Sequence, residues 1–344
     1  MTQSHNLDTT SNNYFAAIDL GSRNCRLLIS KRTITSSGNS FKTSLDNIEA
    51  TSRFVCLGEH LTKTNKLSDA AMARALETLE AFQKRISHYD NVQMLAVTTA
   101  ATRMAKNSNF FLRQIKKKLN LELKVISGEE EALYATLGCA ELVNKKYNNA
   151  IIFDIGGGST EVILADFTNH EAPRITASVS IPMGVVSLAE DQDHTTFKTY
   201  SKTVDDILSY TRPFCEKHGI MDLIAQDQVQ LIGTSGTITT VSALHQNLKF
   251  YDRNKVDGSI LNFADIESTI KHVQLMEQEE RLLHPCIGQS RDDLILGGLA
   301  IFEGIYKAFP NLPVTVTDRG VRDGIVYALA YPERFEPQRH SIML

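Results

Sequence analysis

The sequence predicts an α/β protein with mixed sheets, folded as two similar lobes that face one cleft. Three observations lead there. Short apolar runs alternate along the chain with amphipathic stretches at helical spacing, the pattern of strands interleaved with helices. Two of the runs end in matching turns, Ala17-Ile-Asp19-Leu-Gly21-Ser22 and Phe153-Asp154-Ile-Gly156-Gly-Gly-Ser159, whose aspartates stand 135 residues apart. That interval is about one domain, and an internal duplication predicts two equivalent turns opening on a shared cleft. The chain of 344 residues, 42% of them hydrophobic, has room for two cores at roughly 150 residues per domain.

Taken in order, Phe15-Ala-Ala-Ile18 is a strand ending at the Asp19 turn, and Arg26-Leu-Leu-Ile-Ser30 returns as the second arm of a hairpin. From Leu67-Ser68 onward, Ala71, Ala75, Leu79 and Phe82 recur at helical spacing and predict a helix of about 18 residues. Met94-Leu-Ala-Val97 reads as a buried strand running into Thr98-Thr-Ala-Ala-Thr-Arg103. A helix through Phe110, Phe111 and Ile115 follows, then a strand from Leu121 to Ile126. Ala150-Ile-Ile-Phe153 and Val162-Ile-Leu164 make the second hairpin, around Asp154-Ile-Gly-Gly-Gly-Ser-Thr160. A third glycine turn, Gly233-Thr-Ser-Gly236, leaves an apolar strand for a helix through Val241 and Leu244, and Ile325-Val-Tyr-Ala-Leu329 predicts a closing helix after Arg319-Gly320.

Charge and cysteine usage narrow the function. With 36 Lys+Arg against 40 Asp+Glu and a net charge of −4, the chain has no global cation for a nucleic-acid backbone, so a polyanion must be held locally. No apolar run reaches about 18 residues, which argues against a membrane partner. The five dispersed cysteines (Cys25, Cys56, Cys139, Cys215, Cys286) lack metal or disulfide spacing and read as reduced thiols of a cytoplasmic protein. Met1 to Asn13 lacks the basic and apolar regions of a signal peptide. Residues 1–13 and 333–344 are expected to be tails, the first disordered. Between them, 14–140 forms lobe I, with a helix at about 320–332 packing back on it, and 141–319 forms lobe II.

Several side chains suit phosphate chemistry. Backbone N–H groups at glycine turns cradle anions, and Gly233-Thr-Ser-Gly236 is such a turn without the lysine of a Walker loop. Ser127 and Glu130 stand in a capping-box relation, which gives Glu130 a structural task and leaves Glu129 to solvent. Glu131 lies over Ala135 and Gly138 on a face of small residues, open to a ligand or to another element. Glu161, beside the second turn, is either an exposed hairpin residue or, with Asp19 and Asp154, part of a hard-oxygen site for Mg²⁺. Arg103 is either a surface residue or a phosphate anchor. Lys116-Lys-Lys118 is either a solvated helix face or a track for a long anion.

Together these segments resemble the exopolyphosphatase/guanosine pentaphosphate phosphohydrolase (Ppx/GppA) family of the acetate kinase, sugar kinase and actin superfamily. The resemblance runs from about Phe15 to Leu329. It rests on Ala17-Ile-Asp19-Leu-Gly-Ser22 with Arg26-Leu27, Leu57-Gly-Glu59, Thr99-Ala-Ala-Thr-Arg103, Ile126-Ser-Gly-Glu-Glu-Glu-Ala132, Asp154-Ile-Gly-Gly-Gly-Ser-Thr-Glu161, Pro182-Met-Gly184 and Gly233-Thr-Ser-Gly-Thr237. It implies two ribonuclease-H-like (actin-like ATPase) lobes with an active cleft between them. The implied reaction is Mg²⁺-dependent (or Mn²⁺-dependent) hydrolysis of the terminal phosphoanhydride of inorganic polyphosphate, or of guanosine pentaphosphate. A homodimer is expected. By position, Glu131 matches the catalytic glutamate and Glu161 the acid after the phosphate turn, while Asp19, Asp154 and Glu161 form the metal set. Gly21, Ser22, Arg103, Gly156, Gly157, Gly158, Ser159, Thr160, Gly233, Thr234, Ser235 and Gly236 form the phosphate-binding set.

Two departures stand out. The family's Gly-Ser-Asn-Ser turn reads Gly21-Ser22-Arg23-Asn24, and Ser235 occupies a glycine position of the third turn. The family's helical C-terminal extension with its HD-type phosphohydrolase-like region is not matched, so a short two-lobe form is expected. From a different class, an alarmone- or nucleotide-binding sensor with little turnover fits the same lobes. A sugar or acid kinase of the superfamily is a weaker third reading.

Overall fold

Tyr14–Leu20 (β1) is apolar almost throughout and buried along both faces, the composition of a strand covered on each side. A computed structural model describes residues 13–37, 40–191, 196–288 and 292–334 of the chain. Most of the two expected tails lies outside them. β2 (Asn24–Ser37) and β3 (Ser40–Phe54) continue antiparallel from β1. On its other side β4 (Val92–Thr98) and β5 (Leu123–Val125) run parallel, giving the order β3-β2-β1-β4-β5. The expected strand Leu121 to Ile126 is thus trimmed at both ends. Along this half run α1 (Leu61–Thr64), α2 (Asp69–Ile86), α3 (Ala100–Met104), α4 (Ser108–Leu119) and α5 (Gly128–Cys139). Helix α2 starts where Ser68 Oγ accepts the Ala71 N–H, and it buries Ala71, Ala75, Leu79 and Phe82 as its spacing requires.

The second half repeats the plan. β6 (Asn149–Ile155) pairs antiparallel with β7 (Thr160–Asp166), which pairs with β8 (Arg174–Ile181). Parallel to β6 runs β9 (Val229–Thr234), and β10 (Ile260–Leu261) caps the far edge beyond β11 (Val314–Thr317). The order β10-β11-β9-β6-β7-β8 contains the first sheet's order with one strand added. Helices here are α6 (Val185–Asp191), α7 (Phe197–Lys217), α8 (Ile220–Ala225), α9 (Gly236–His245), α10 (Arg253–Val256), α11 (Phe263–Leu275), α12 (Gln278–Leu283), α13 (Asp292–Ala308) and α14 (Val321–Ala330). No helix of the described residues is long and apolar enough to cross a membrane.

The two halves are tied by exchanged helices. α5 follows the first sheet but packs on β6, β7 and β8, whereas α14 follows the second sheet and packs on β1, β2 and β4. The two helices also pack closely on each other. One core therefore joins Phe15, Ala17 and Leu28 to Ile152 and Ile163 through Leu133 and Ile325. The expected lobe I stretch, 14–140, thus ends in a helix whose sheet contacts belong to the second lobe. The small stripe Ala135–Gly138 receives another element, not a ligand: a Cβ on Gly138 would stand 2.2 Å from the Gly320 carbonyl oxygen.

Candidate active site

Each lobe's central strand ends in an acid followed by a turn closed the same way. Gly21 N–H donates to Asn24 O at 2.9 Å, and Gly156 N–H donates to Ser159 O at 2.9 Å. The turns meet face to face: the side chain of Ser22 stands 3.0 Å from where a Cβ on Gly157 would lie. Gly184 presses on Gly157 so closely that a Cβ there would be 2.4 Å from its carbonyl carbon, and the Val186 N–H donates to Gly157 O. This close approach accounts for the glycine of the Pro182-Met-Gly184 segment. Between the turns lies a cavity of about 120 Å³ lined by Asp19, Asp154, Glu131, Arg26, Ser22 and Ser159, with Arg23, Ser235, Gly236 and Thr237 also on its wall.

The hairpin registers place Asp19 opposite Arg26 and Asp154 opposite Glu161, at the same separation along each hairpin. The duplicated position thus carries opposite charges in the two lobes. Burial pushes the Asp154 carboxyl up to about 7, with Glu131 and Asp19 adding repulsion against the relief from Arg26. Asp19 is raised by burial as well, against Arg26 and Arg322. Burial opposes the charge of Arg26, but Asp19, Asp154, Asp318 and Asp323 together more than restore it. Glu131 sits at the start of α5, whose first turn is set by the Ser127–Glu130 capping box. Its Oε2 accepts from Arg103 Nη1 at 2.8 Å, and the same nitrogen donates to Ile126 O. Burial and then Glu161 raise its carboxyl, and Arg103 opposes them.

Other expected ligands are placed differently. Glu161 is 3% exposed, and its Oε1 accepts from Ser159 Oγ at 2.7 Å and Ser180 Oγ at 2.9 Å. It stands behind the turn instead of lining the cavity. Thr160 is fully buried and donates to Met183 O, since strand alternation turns it into the core. Gly233 packs under the Phe153 ring, and Thr234 donates to Arg319 O. Neither lines the cavity, whereas Ser235 and Gly236 do. Lys116, Lys117 and Lys118 are exposed on the last turn of α4 and line no part of it. Among the described residues, no three acids or histidines gather as a metal-holding group, so the triad Asp19, Asp154 and Glu161 does not form. Asp19 and Asp154 still fit a hard cation. They are oxygen donors on one cavity, each raised chiefly by burial that a cation would offset, and Mg²⁺ needs only one or two carboxylates when water and phosphate complete its shell.

The sequence profile of the Ppx/GppA phosphatase family matches residues 34–332. The chain belongs to that family. Among curated relatives, a bifunctional 3-dehydroquinate synthase/phosphatase of Fusobacterium nucleatum is 28% identical over 312 residues. The match covers 88% of this chain but only 45% of that protein, so the chain spans less than half its length. Exopolyphosphatase 2 of Mycobacterium tuberculosis is 26% identical over 328 residues, 92% of this chain and 98% of that one. Among solved structures, the Aquifex aeolicus Ppx/GppA family member has a TM-score of 0.72 at 28% identity, covering 93% of this chain and 98% of its own. An exopolyphosphatase of Cytophaga hutchinsonii, at 24% identity, shares the fold with a TM-score of 0.77 and covers 92% and 97%. The two-lobed actin-like architecture is therefore a family property that this Ppx/GppA chain keeps.

Sequence reasoning on this Ppx/GppA phosphatase left out Arg26 and Thr237 as cleft residues. The signal for Arg26 was the shared hairpin spacing, which puts it opposite Asp19 as Glu161 is opposite Asp154. The crowded acids have a consequence for stability. Unfolded carboxyls titrate near 4, while Asp154 waits until about 7 and Asp19, Glu131 and Glu161 are shifted the same way. The native state then holds protons that the unfolded chain has released. Stability is full below the ordinary carboxylate range and is lost as pH rises through about 7. Thermal melts in chelator should show a Tm several degrees lower at about pH 8 than at about pH 5; a flat profile would contradict the upward shifts that burial and neighbouring acids impose.

Proposed function

We propose that this chain hydrolyses the terminal phosphoanhydride of inorganic polyphosphate and releases orthophosphate. The observation that carries the reading is Glu131, held by Arg103 on the wall of a cavity flanked by the two phosphate-type turns. About 120 Å³ equals roughly four waters, room for a terminal phosphoryl group with the rest of a linear chain outside. The likeness to a full-length exopolyphosphatase supports the same substrate class.

The backbone of the Gly21–Ser22 and Gly156–Ser159 turns and the N-terminus of α9 at Ser235–Gly236 receive the phosphoryl oxygens. Glu131, in its ionised form, orients a water and takes its proton as the oxygen bonds to the terminal phosphorus. The bridging P–O bond breaks, and its electron pair stays on the shortened chain. A divalent cation held by Asp19 and Asp154 would neutralise phosphate charge. Arg26 opposes the upward shift of those two acids and so favours their ionised forms.

A second reading, guanosine pentaphosphate as substrate, is favoured by Arg23, which lines the cavity with its guanidinium 5.3 Å from the Phe54 ring centroid. Phosphate release from long-chain polyphosphate and from guanosine pentaphosphate, measured in parallel with Mg²⁺ or Mn²⁺, separates them. Faster release from polyphosphate is expected. Release from the pentaphosphate alone selects the second substrate, and tight binding without release from either makes the chain a sensor.

A further inference from the structure

A second cavity, about 420 Å³, adjoins the first across a shared stretch of wall. Ala100, Gly158 and Ser159 line both spaces. The wall is bridged by two polar links. Glu131 faces the substrate cavity, while Arg103, bonded to it at 2.8 Å, faces the second one. Glu161 is embedded between them, holding Ser159 of the shared wall and Ser180 of the second cavity. Asp206 of α7 also lines the second cavity.

In phosphoryl transfer the incoming and leaving oxygens lie roughly in line, on opposite sides of the phosphorus. A base set in the wall puts the incoming water on the wall's side and the phosphate chain in the opposite direction. We infer that the second cavity is the passage by which water reaches Glu131 and orthophosphate departs, while the shortened chain keeps the first cavity. This rests on the hydrolytic reading above. The guanidinium of Arg103, which has donors beyond the Nη1 it gives to Glu131 and Ile126 O, receives the departing anion, which carries the oxygen taken from water. Asp206 is a fixed negative charge that opposes its retention, so phosphate passes through without lodging.

The test is a charge series at one position. In Asp206→Asn and then Asp206→Lys, inorganic phosphate should inhibit at successively lower concentrations, several-fold overall, and kcat should fall while KM for polyphosphate stays put. Calorimetric titration of phosphate alone should tighten in the same order, a readout that needs no turnover. Asp205→Lys makes the same charge change on a neighbouring residue that lines neither cavity, and it should leave phosphate inhibition as in the wild type. Equal phosphate affinity across the Asp206 series would overturn the passage, as would an equal shift in Asp205→Lys, which would signal a general field effect. Failure of the wild type to release phosphate from any polyphosphate would instead overturn the hydrolytic reading, whatever the titrations show.

Discussion

Glu131→Gln is expected to slow orthophosphate release by about a hundred- to ten-thousand-fold, the usual weight of a positioned base, with polyphosphate binding kept. The substitution preserves size and hydrogen-bonding shape and removes only the capacity to take a proton. Arg103 remains anchored by its bond to Ile126 O, so the wall should hold its form. A second readout separates lost chemistry from lost folding. Glu161 raises the Glu131 carboxyl, and Glu131 in turn raises Asp154, so a neutral side chain at 131 removes one raised carboxyl and its repulsion and should flatten part of the fall in Tm with rising pH. Loss of turnover with equal or higher Tm at about pH 8 is the expected pair of results. Near-normal turnover removes Glu131 from the mechanism, whereas lost turnover with a lowered Tm at every pH would mean that the residue is structural.

What could be read from the sequence was local and periodic. The two hairpins, the 18-residue helix α2 and the capping box of α5 all sit where spacing placed them, because turn chemistry and amphipathic period act over a few residues. The duplication was legible because Asp19 and Asp154 share a turn grammar, and both do line one cavity. Direction across a strand was harder. Thr160 and Gly233 belong to glycine turns by sequence, yet the strand's alternation points one into the core and lays the other under Phe153. Register was missed for the same reason: the pairing of Asp19 with Arg26 needs both arms of the hairpin fixed, and one residue's slip would reverse every side chain. The exchanged packing of α5 and α14 was the least legible feature. A stripe of small residues announces a close approach but not what approaches.

That close approach makes Gly324→Ala a highly damaging single methyl. A Cβ at Gly324 would lie 1.8 Å from the Tyr134 carbonyl oxygen and 2.6 Å from its carbon, and Gly138 meets Gly320 at 2.2 Å on the same crossing. Both partners are backbone atoms, Tyr134 within α5 and Gly320 at the N-cap of α14, so no rotamer change can make space, and α5 must move away from α14. Overpacking of a core usually costs about 1–3 kcal/mol and occasionally more; with a backbone carbonyl as the obstacle, about 3 kcal/mol or more is expected, read as a fall in the urea midpoint with little change in slope. The displaced helix carries Glu131 at its start, and Arg103 stays with Ile126, so a change three turns of logic away from the chemistry should also lower kcat in whatever protein remains folded. Gly128→Ala supplies the control, since a Cβ there meets nothing within 4 Å and the residue begins the same helix. Wild-type stability and kcat in Gly324→Ala would show that the two helices can separate freely, and the lobes would then need some other tie.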